Sequence, residues 1–489
     1  MKTLLLALAI PTLLAICFGR SSARTWYIVP NGSGDAPTIQ AGIDSAAAGD
    51  TLLLANGTYT GVGNREMNYQ GKAITVRSEG GSPALCVIDC ESMGYGFLFN
   101  SGEGAASLLE GITVTNGGAY SGGAIGFGSS PTITNCTFSG NSAVYGGAMV
   151  CGGPASPKLI NCTFSDNSAN GDGAVTLNGG SPTFVNCVFS NNSAFEGAGA
   201  VWCRFASPTF ENCIFIGNST SEAGGGIQFF EGSSGTLTNC VFAGNSAPYG
   251  GGISAFDLIP VITNCTFYGN SADISGGGIW FGGPNPAEPK IRNSIFAFNN
   301  GEAFYYSSFC DSNFAIVFSC CDLYGNTGGD WVGCIAGGDS INGNLSQNPL
   351  FCDPENGDLT LSALSPCLPA NNTCGVLIGA HGEGCSVPTG IEADIGKLQL
   401  ALRPPYPNPF NPETSIVYQL PEGGIVSVKV YDVRGRLVKT LVDTRLSAGE
   451  HRTTWNGQDN DGRQVATGIY LIKFWSGGQT RSTRVLLLK

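Results

Sequence analysis

The sequence predicts an all-β protein built mainly as a parallel β-helix, in which short strands wind into stacked coils. Glycine accounts for 73 of the 489 residues and only 12% are charged, a composition that favours turn-rich β structure. A glycine-rich motif recurs at intervals of 24 and then 26 residues, and a fixed period of this length indicates a solenoid. The motif begins at Gly122, Gly146, Asp172, Ala198, Gly224, Gly250 and Gly276.

One period, "GGAIGFGSSPTITNCTFSGNSAVY" (122–145), indicates what each coil contains. Short apolar alternations are separated by Gly, Pro, Asn and Ser, and no helical periodicity is present. Ile125 and Phe127 share one face, and Ile133 and Phe138 follow on later strands. We therefore predict three short strands per coil, with like residues stacked about 4.8 Å apart in successive coils.

The segment "NCTFSGNSA" and its variants occur six times and predict structural columns rather than a repeated chemical site. Its first Asn suits a left-handed corner, and stacked amides can bond along the column. A metal site needs ligands that converge, and in-register neighbours have unsuitable Cβ directions for disulfides, so the cysteines are predicted to be buried, reduced thiols. The columns are Asn135, Asn161, Asn186, Asn212, Asn239 and Asn264; Asn141, Asn167, Asn192, Asn218, Asn245 and Asn270; and Cys136, Cys162, Cys187, Cys213, Cys240 and Cys265.

Two motifs of the repeat, GGA[IV] and F-x-x-N, resemble the repeats of polymorphic outer-membrane proteins. Residues 24–387 as a whole resemble a right-handed, pectin-lyase-like β-helix. The segment at 36–61 resembles the start of that fold, with a helix over Thr38–Ala48 that caps the open end, and the segment at 348–367 resembles its closing turns. Cys321 rejoins the cysteine column, and we expect some of the other late cysteines to form disulfides in the C-terminal cap. These are Cys310, Cys320, Cys334, Cys352, Cys367, Cys374 and Cys385.

The composition changes after residue 387. We predict a linker over 388–403 and a small β-sandwich over 404–489, because the latter alternates with period two, with hairpin turns at Glu422–Gly424 and Arg434–Gly435. The motifs Y-P-N-P-F-N-P, V-Y-D-V-x-G-x-L-V, A-G-x-H-x-x-x-W-N-G and G-I-Y occur in order. They resemble the Ig-like domain of flagellar hook-capping type and the type A C-terminal sorting domains of type IX secretion, which implies export.

The N-terminus supports the same location. Residues 1–23 have the features of a secretory signal peptide: Lys2, an apolar run over 4–18 and small residues at the predicted cleavage site. The apolar run is too short for a transmembrane span, and no later segment is apolar enough. We expect a secreted or cell-surface protein whose C-terminal domain engages the export machinery. A net charge of −13 excludes nucleic acid as a partner.

The residue inventory favours a non-catalytic binding or adhesion scaffold. The chain holds two histidines, His381 and His451, neither within the regular coils, and few cations between residues 78 and 402. A lyase needs a base and a cation or metal that stabilises the anion, and the polygalacturonase and pectate-lyase motifs are absent. A polysaccharide lyase or glycoside hydrolase is the alternative. No cofactor is predicted; calcium is possible but not indicated, and "DNDG" (459–462) is predicted to be a turn.

The outward positions of the glycine-rich strand change along the solenoid. They are small in early coils, as at Gly126 and Val150, and become aromatic and polar later. Flat aromatic faces suit sugar rings and carboxylates suit hydroxyls, so we predict that the face of coils 198–283 binds a glycan or another surface ligand. In the alternatives, a loop or the C-terminal domain covers these rings, or stacked acids about 5 Å apart act as a glycosidase pair. The candidate residues are Trp202, Arg204, Gln228, Phe230, Glu231, Phe256, Asp257 and Trp280, with Glu196 and Glu222 on the opposite margin.

Overall fold

The computed structural model describes residues 22–256, 258, 260–282, 290–307 and 317–385, and further along the chain 401–402, 405, 408, 410, 412–420, 423–432, 435–447, 449–477 and 479–487. The chain divides into two compact units, Met1–Val387 and Pro388–Lys489. Residues 1–21 of the predicted signal peptide, most of the predicted linker, Asp257 and Cys310 lie outside the described residues.

The first unit is a parallel β-helix in which the chain passes through the same sheets in successive coils. Sheet 1 comprises Thr25–Ile28, Thr51–Leu54, Thr75–Ser78, Leu108–Glu110, Thr132–Thr134, Lys158–Ile160, Thr183–Val185, Thr209–Glu211, Thr236–Thr238, Val261–Thr263, Lys290–Arg292 and Val317–Ser319. Sheet 2 comprises Gly57–Tyr59, Cys86–Asp89, Thr113–Thr115, Thr137–Ser139, Thr163–Ser165, Val188–Ser190, Ile214–Ile216, Val241–Ala243, Thr266–Tyr268, Ile295–Ala297 and Asp322–Tyr324.

Two further parallel sheets complete the coil. Sheet 3 comprises Met67–Asn68, Phe97–Phe99, Ile125–Phe127, Met149–Gly152, Val175–Asn178, Val201–Arg204, Ile227–Phe230, Ile253–Phe256, Ile279–Gly282 and Phe304–Tyr306. Sheet 4 comprises Gly118–Ser121, Ser142–Tyr145, Ser168–Gly171, Ser193–Ala194, Ser219–Thr220, Ser246–Tyr249 and Ser271–Ser275. The prediction of three strands per coil was therefore wrong for the middle coils. The strands that the prediction missed are those of sheet 4. They begin directly after the second Asn column, with Ser-Ala or Ser-Thr in most of the coils, and they also pair between coils.

The core is a set of stacked side chains along the solenoid axis. Phe138 pairs in register with Phe164, and the rings of this column lie 4.5–5.1 Å apart at their centroids and nearly parallel from Phe164 onward. Alternation along each short strand puts one residue inward and its neighbours outward, as in the buried Phe138 between Thr137 and Ser139. The predicted like-on-like stacking is confirmed. Its geometry decides which side chains can meet on the outer faces.

Both predicted asparagine columns are present. The residues of the first column adopt the left-handed conformation, as at Asn161 with φ of 53°, and Asn161 Nδ2 donates to Asn135 Oδ1 at 3.1 Å. The residues of the second column are buried. The backbone N–H and Nδ2 of Asn167 both donate to Asn192 Oδ1, at 3.1 and 3.0 Å. This second column continues beyond the predicted residues to Asn299 and Asn326.

The predicted cysteine column consists of buried free thiols. Each Sγ lies near main-chain carbonyls, as Cys162 Sγ does at 3.4 Å from the carbonyl oxygen of Ile160. Burial raises the pKa of Cys136 to about 12, which keeps this thiol protonated. Cys321 rejoins the column as predicted, with Sγ at 3.5 Å from the carbonyl oxygen of Ile291.

A helix closes the N-terminal end of the solenoid, and a small sheet follows the last coil. Helix α1, Ile39–Ser45, caps the N-terminal end, and Thr38 is its N-cap, accepting from the Ala41 N–H at 3.2 Å. The helix is shorter than predicted because Ala46 adopts an extended conformation. After the last coil, the strands Phe351–Asp353, Asp358–Ser362 and Glu383–Cys385 form a small sheet, and this segment packs on sheet 2, where the ring centroids of Phe351 and Tyr268 lie 5.6 Å apart. The disulfide Cys352–Cys385 joins two strands of this sheet, and Cys320–Cys374 ties the same segment to the last coils, as predicted for some of the late cysteines. Short 3₁₀ helices are Pro83–Leu85, Gly333–Ile335, Gly338–Ser340 and Pro354–Asn356.

The second unit is a β-sandwich of two antiparallel sheets. One sheet pairs Thr414–Leu420 with Ala401–Leu402 and Gly449–Trp455, and the other comprises Leu437–Leu446, Gly424–Asp432, Gly468–Ser476 and Gln479–Leu487. The predicted hairpin at Glu422–Gly424 was wrong, because the strands on its two sides belong to different sheets. The predicted hairpin at Arg434–Gly435 is confirmed, because the strands on its two sides pair antiparallel. Gly468–Ser476 and Gln479–Leu487 form the last hairpin, and Asp459–Gly462 forms a turn.

Within the part of the chain that the structure describes, no helix is long and apolar enough to cross a membrane.

Candidate functional site

The candidate site lies on the outer face of sheet 3. Trp202 pairs in register with Thr176 on one side and with Gln228 on the other, and Arg204 pairs with Phe230. The inward neighbours Val201 and Cys203 are buried in the core. Sheet 3 therefore presents two outward columns, and their members change from coil to coil while the inward residues stay apolar.

Three aromatic rings form a row along these columns. The ring centroids of Trp202 and Phe230 lie 6.3 Å apart, and those of Phe230 and Phe256 lie 5.9 Å apart. Trp202 and Phe230 are half-buried, and Phe256 is 36% exposed. The described loops of the β-helix thus leave this row partly open to solvent. Trp280 instead packs against Tyr249, with centroids 5.6 Å apart.

A cavity of about 130 Å³ opens beside Trp202. It brings together residues predicted on opposite margins of the face, because the acids of the sheet 4 margin lie next to the aromatic row of sheet 3. The lining residues are Asp172, Glu196, Gly197, Trp202, Glu222, Gln228 and Phe230. The structure therefore places five of the predicted residues around one small space.

Gln228 is the buried polar residue of this cavity. It is only 8% exposed, and its Oε1 atom has no hydrogen-bond partner among the described residues. A buried carbonyl oxygen without a partner costs about 1–3 kcal/mol. A buried polar atom without a partner needs an explanation, and here it belongs to a residue that lines the cavity.

Asp172 is the site residue that sequence reasoning missed. It occupies the start of the glycine-rich motif, where Gly146 and Gly224 stand in other coils, and it adopts the same left-handed conformation, with φ of 61° against 61° and 75°. Residues other than glycine are disfavoured in this conformation, although Asp tolerates it better than most other residues do. The signal was available in the sequence as a charged residue that breaks the glycine column.

The electrostatics of the cavity centre on Asp172. The pKa of Asp172 is raised to about 6; burial is the largest cause, the charge of Arg204 opposes it, and the carboxylates of Glu196 and Glu222 add to it. Glu222 Oε2 accepts a hydrogen bond from the Gly197 N–H at 2.5 Å.

Arg204 belongs to a neighbouring ion pair rather than to the acids of the cavity. Its guanidinium binds Glu231 through Nε and Nη2, at 2.6 and 2.5 Å from Oε2. It also lies 5.1 Å from the centroid of the Phe205 ring. The predicted pair of stacked acids at this edge, Glu231 and Asp257, cannot be described because Asp257 lies outside the described residues. Glu231 is partnered by Arg204.

A larger groove of about 570 Å³ lies on sheet 2. Its floor includes Ile214, Ile216 and Tyr268, and its wall is formed by residues 354–357, Leu359 and His381. Burial lowers the pKa of His381. Unlike the cavity beside Trp202, this groove has no buried side-chain nitrogen or oxygen without a partner among its described lining residues. We therefore take the smaller cavity as the candidate site.

The site has no metal-binding arrangement in the described structure. Among the described residues, no group of three or more His, Cys, Asp or Glu side chains is placed to hold a metal ion. The cavity is instead an acidic pocket with aromatic walls.

Comparison with known proteins identifies the class to which this architecture belongs. The family described as "Right handed beta helix region" matches residues 52–221 and 197–346, more than half of the chain. The chain belongs to this family. The description "FlgD Ig-like domain" matches residues 413–476 in the second unit. No curated protein sequence matches the chain.

Several solved structures are similar to parts of the chain. Pectate lyase Pel9A is 17% identical, with 74% of this chain and 97% of that chain covered and a TM-score of 0.44. A mannuronic acid specific polysaccharide family 6 lyase from human gut microbiota is 12% identical, with 62% and 86% covered and a TM-score of 0.28. PorZ, a surface component of the type-IX secretion system of Porphyromonas gingivalis, is 26% identical over 18% of this chain and 11% of PorZ, with a TM-score of 0.14.

Proposed function

We propose that this protein is an exported β-helix, secreted or held at the cell surface, that binds an extracellular glycan on the outer face of sheet 3. The observation that carries the proposal is the row of Trp202, Phe230 and Phe256 beside a cavity with a buried, unpartnered Gln228 carbonyl. Solvent-facing aromatic rings stack on the apolar faces of sugars, while carboxylates and amides bind their hydroxyl groups.

Binding to this face is tested by removing the aromatic row. We expect the variant Trp202→Ala, Phe230→Ala, Phe256→Ala to lose at least 100-fold in affinity for glycans that the native protein selects on a glycan array. A matched control, Tyr27→Ala with Trp475→Ala, removes exposed aromatics elsewhere, since these residues are 38% and 41% exposed. Unchanged binding by the triple variant, with the native circular dichroism spectrum retained, would falsify the proposed site.

Export is proposed from the two ends of the chain. The signal-peptide pattern of residues 1–23 and the resemblance of residues 404–489 to type A sorting domains support passage to the surface through type IX secretion. The resemblance of the repeats to those of polymorphic outer-membrane proteins supports a surface-exposed scaffold. In a host with that pathway, we expect the full chain outside the cell or at its surface. Deletion of residues 404–489 should retain it in the periplasm, and surface display of the truncated chain would contradict the sorting role.

A glycoside hydrolase is the second candidate, because Asp172 has a raised pKa among carboxylates that line the same cavity. A carboxyl group with a pKa near 6 can act as a general acid while a neighbouring carboxylate stays ionised. Reducing-end release from oligosaccharides that bind, lost in Asp172→Asn, would establish this activity. A lyase acting on polyuronates is disfavoured, because three carboxylates line the cavity and Arg204 is paired with Glu231.

A further inference from the structure

The cavity beside Trp202 carries an excess of negative charge. Among the described residues, none of its three carboxylates takes part in an ion pair. Arg204, the cation that acts on Asp172, is held by Glu231. A ligand that brings a positive charge is therefore attracted to this cavity, whereas a polyanion is repelled. The overall charge of −13 favours the approach of cations in the same way.

The hydrogen-bonding groups of the cavity select for a donor. Asp172, Glu196 and Glu222 present carboxylate oxygens, and one of these, Glu222 Oε2, accepts from the Gly197 N–H. Gln228 Oε1 accepts no hydrogen bond among the described residues, and this atom is itself buried. A protonated amine has three N–H donors and no acceptor. It therefore complements a cavity lined by acceptors better than a hydroxyl group, which both donates and accepts.

The aromatic walls have the same preference. Trp202 and Phe230 both line the cavity, with ring centroids 6.3 Å apart. The faces of aromatic rings carry negative electrostatic potential and attract cations, with gains of about 0.5–2 kcal/mol. The charge, the hydrogen-bonding groups and the aromatic walls of the cavity thus all favour a protonated amine.

We propose that the cavity binds the protonated amino group of a hexosamine in a glycan, with adjoining sugars on Phe230 and Phe256. This rests on the proposed glycan-binding function and names its ligand class. The volume of about 130 Å³ is that of roughly four water molecules, enough for an amino group and the edge of its ring. The aromatic row favours a sugar over a lysine side chain, because a sugar ring has a flat face that can stack on the aromatic rings and a lysine side chain has none.

The test compares two probes that differ only in their amino groups. The full-length protein is titrated calorimetrically with a glucosamine tetramer and with the fully N-acetylated tetramer, at pH 6.5 and low salt. We expect the glucosamine tetramer to bind at least tenfold more tightly. Asp172→Asn and Glu222→Gln should each reduce this preference about threefold to tenfold, because each removes a negative charge that the amino group would meet. Glu211→Gln is the control, since Glu211 is an exposed acid on sheet 1 of the same coil region.

The other outcomes distinguish a failure of the amine proposal from a failure of the proposed glycan binding. Equal affinities for the two tetramers overturn the amine proposal and leave glycan binding in place. Tetralysine binding as tightly as the glucosamine tetramer overturns the assignment to a sugar. If the glucosamine tetramer binds but Trp202→Ala does not weaken it, the amine binds elsewhere and the cavity is the wrong site. If no glycan binds on the array either, the proposed function fails together with this inference.

Discussion

The second asparagine column and the outer face of sheet 3 use the same repeat in opposite ways. Along the column, the same residue recurs from Asn141 to Asn326 in buried positions, and each side chain binds the next. On the outer face of sheet 3, the residue at one position changes from Val150 to Thr176 to Trp202. The residue type stays the same where the side chain of one coil forms hydrogen bonds with that of the next. The residue type varies on the outer face of sheet 3, where no side chain has to bind the same side chain of the next coil, and the candidate site lies there.

The largest effect is expected from breaking the buried column. Asn192 Oδ1 accepts from the N–H and Nδ2 of Asn167, and Asn192 Nδ2 donates to the Phe164 carbonyl and to Asn218 Oδ1. Asn192→Ala leaves several of these buried groups without partners, at a cost of about 3 kcal/mol in the free energy of unfolding. Guanidinium titration of the full-length protein, followed through the β-helix transition, measures this loss.

The first asparagine column provides the matched comparison. Asn186 is exposed, adopts φ of 53°, and donates through Nδ2 to Asn161 Oδ1. Asn186→Gly keeps the left-handed conformation accessible and removes only solvent-exposed side-chain bonds, so we expect a loss below about 1 kcal/mol. If Asn186→Gly were as destabilising as Asn192→Ala, burial would not be the reason that the second column matters.

The fold could be predicted from the sequence because its determinants are local and repeated. The 26-residue period fixes the coil, and the inward phenylalanines and cysteines fix the register, so errors are confined to features without a strong pattern. The strands of sheet 4 were missed because Ser142–Tyr145 and its counterparts are short and rich in small residues. The hairpin at Glu422–Gly424 was predicted wrongly because a turn motif does not specify whether the next strand stays in the same sheet.

The candidate site was less predictable because it joins two margins of the solenoid. Stacking identified Trp202, Gln228 and Phe230 as outward residues, since their positions follow from the register. The convergence of Asp172, Glu196 and Glu222 on the same cavity depends on the path of the corner between sheets 4 and 3, which the period does not specify. The unpaired carbonyl of Gln228 is likewise a property of three-dimensional packing.

Another small effect is predicted for the stability of the site itself. The pKa of Asp172 is raised to about 6 in the folded protein, above its usual value near 3.9 in an unfolded chain. The fold therefore favours the protonated carboxyl group, and the contribution of Asp172 to the free energy of unfolding is most favourable below about pH 4 and falls as the pH rises to about 6. Asn cannot ionise and tolerates the left-handed conformation, so Asp172→Asn should remove this fall.

We expect Asp172→Asn to raise the free energy of unfolding by about 1 kcal/mol at pH 7.5, after allowance for solvent screening of a partly exposed group. At pH 4, native and variant proteins should have similar stability. Thermal unfolding at both pH values measures the difference, with Glu211→Gln as the control for loss of one negative charge. Asp172→Asn would then be more stable and yet bind the glucosamine tetramer less tightly. This outcome would mean that Asp172 is retained for recognition and lowers the stability of a corner that glycine occupies in other coils. A variant that is less stable at pH 7.5 would instead give Asp172 a structural role and place it with the asparagine columns.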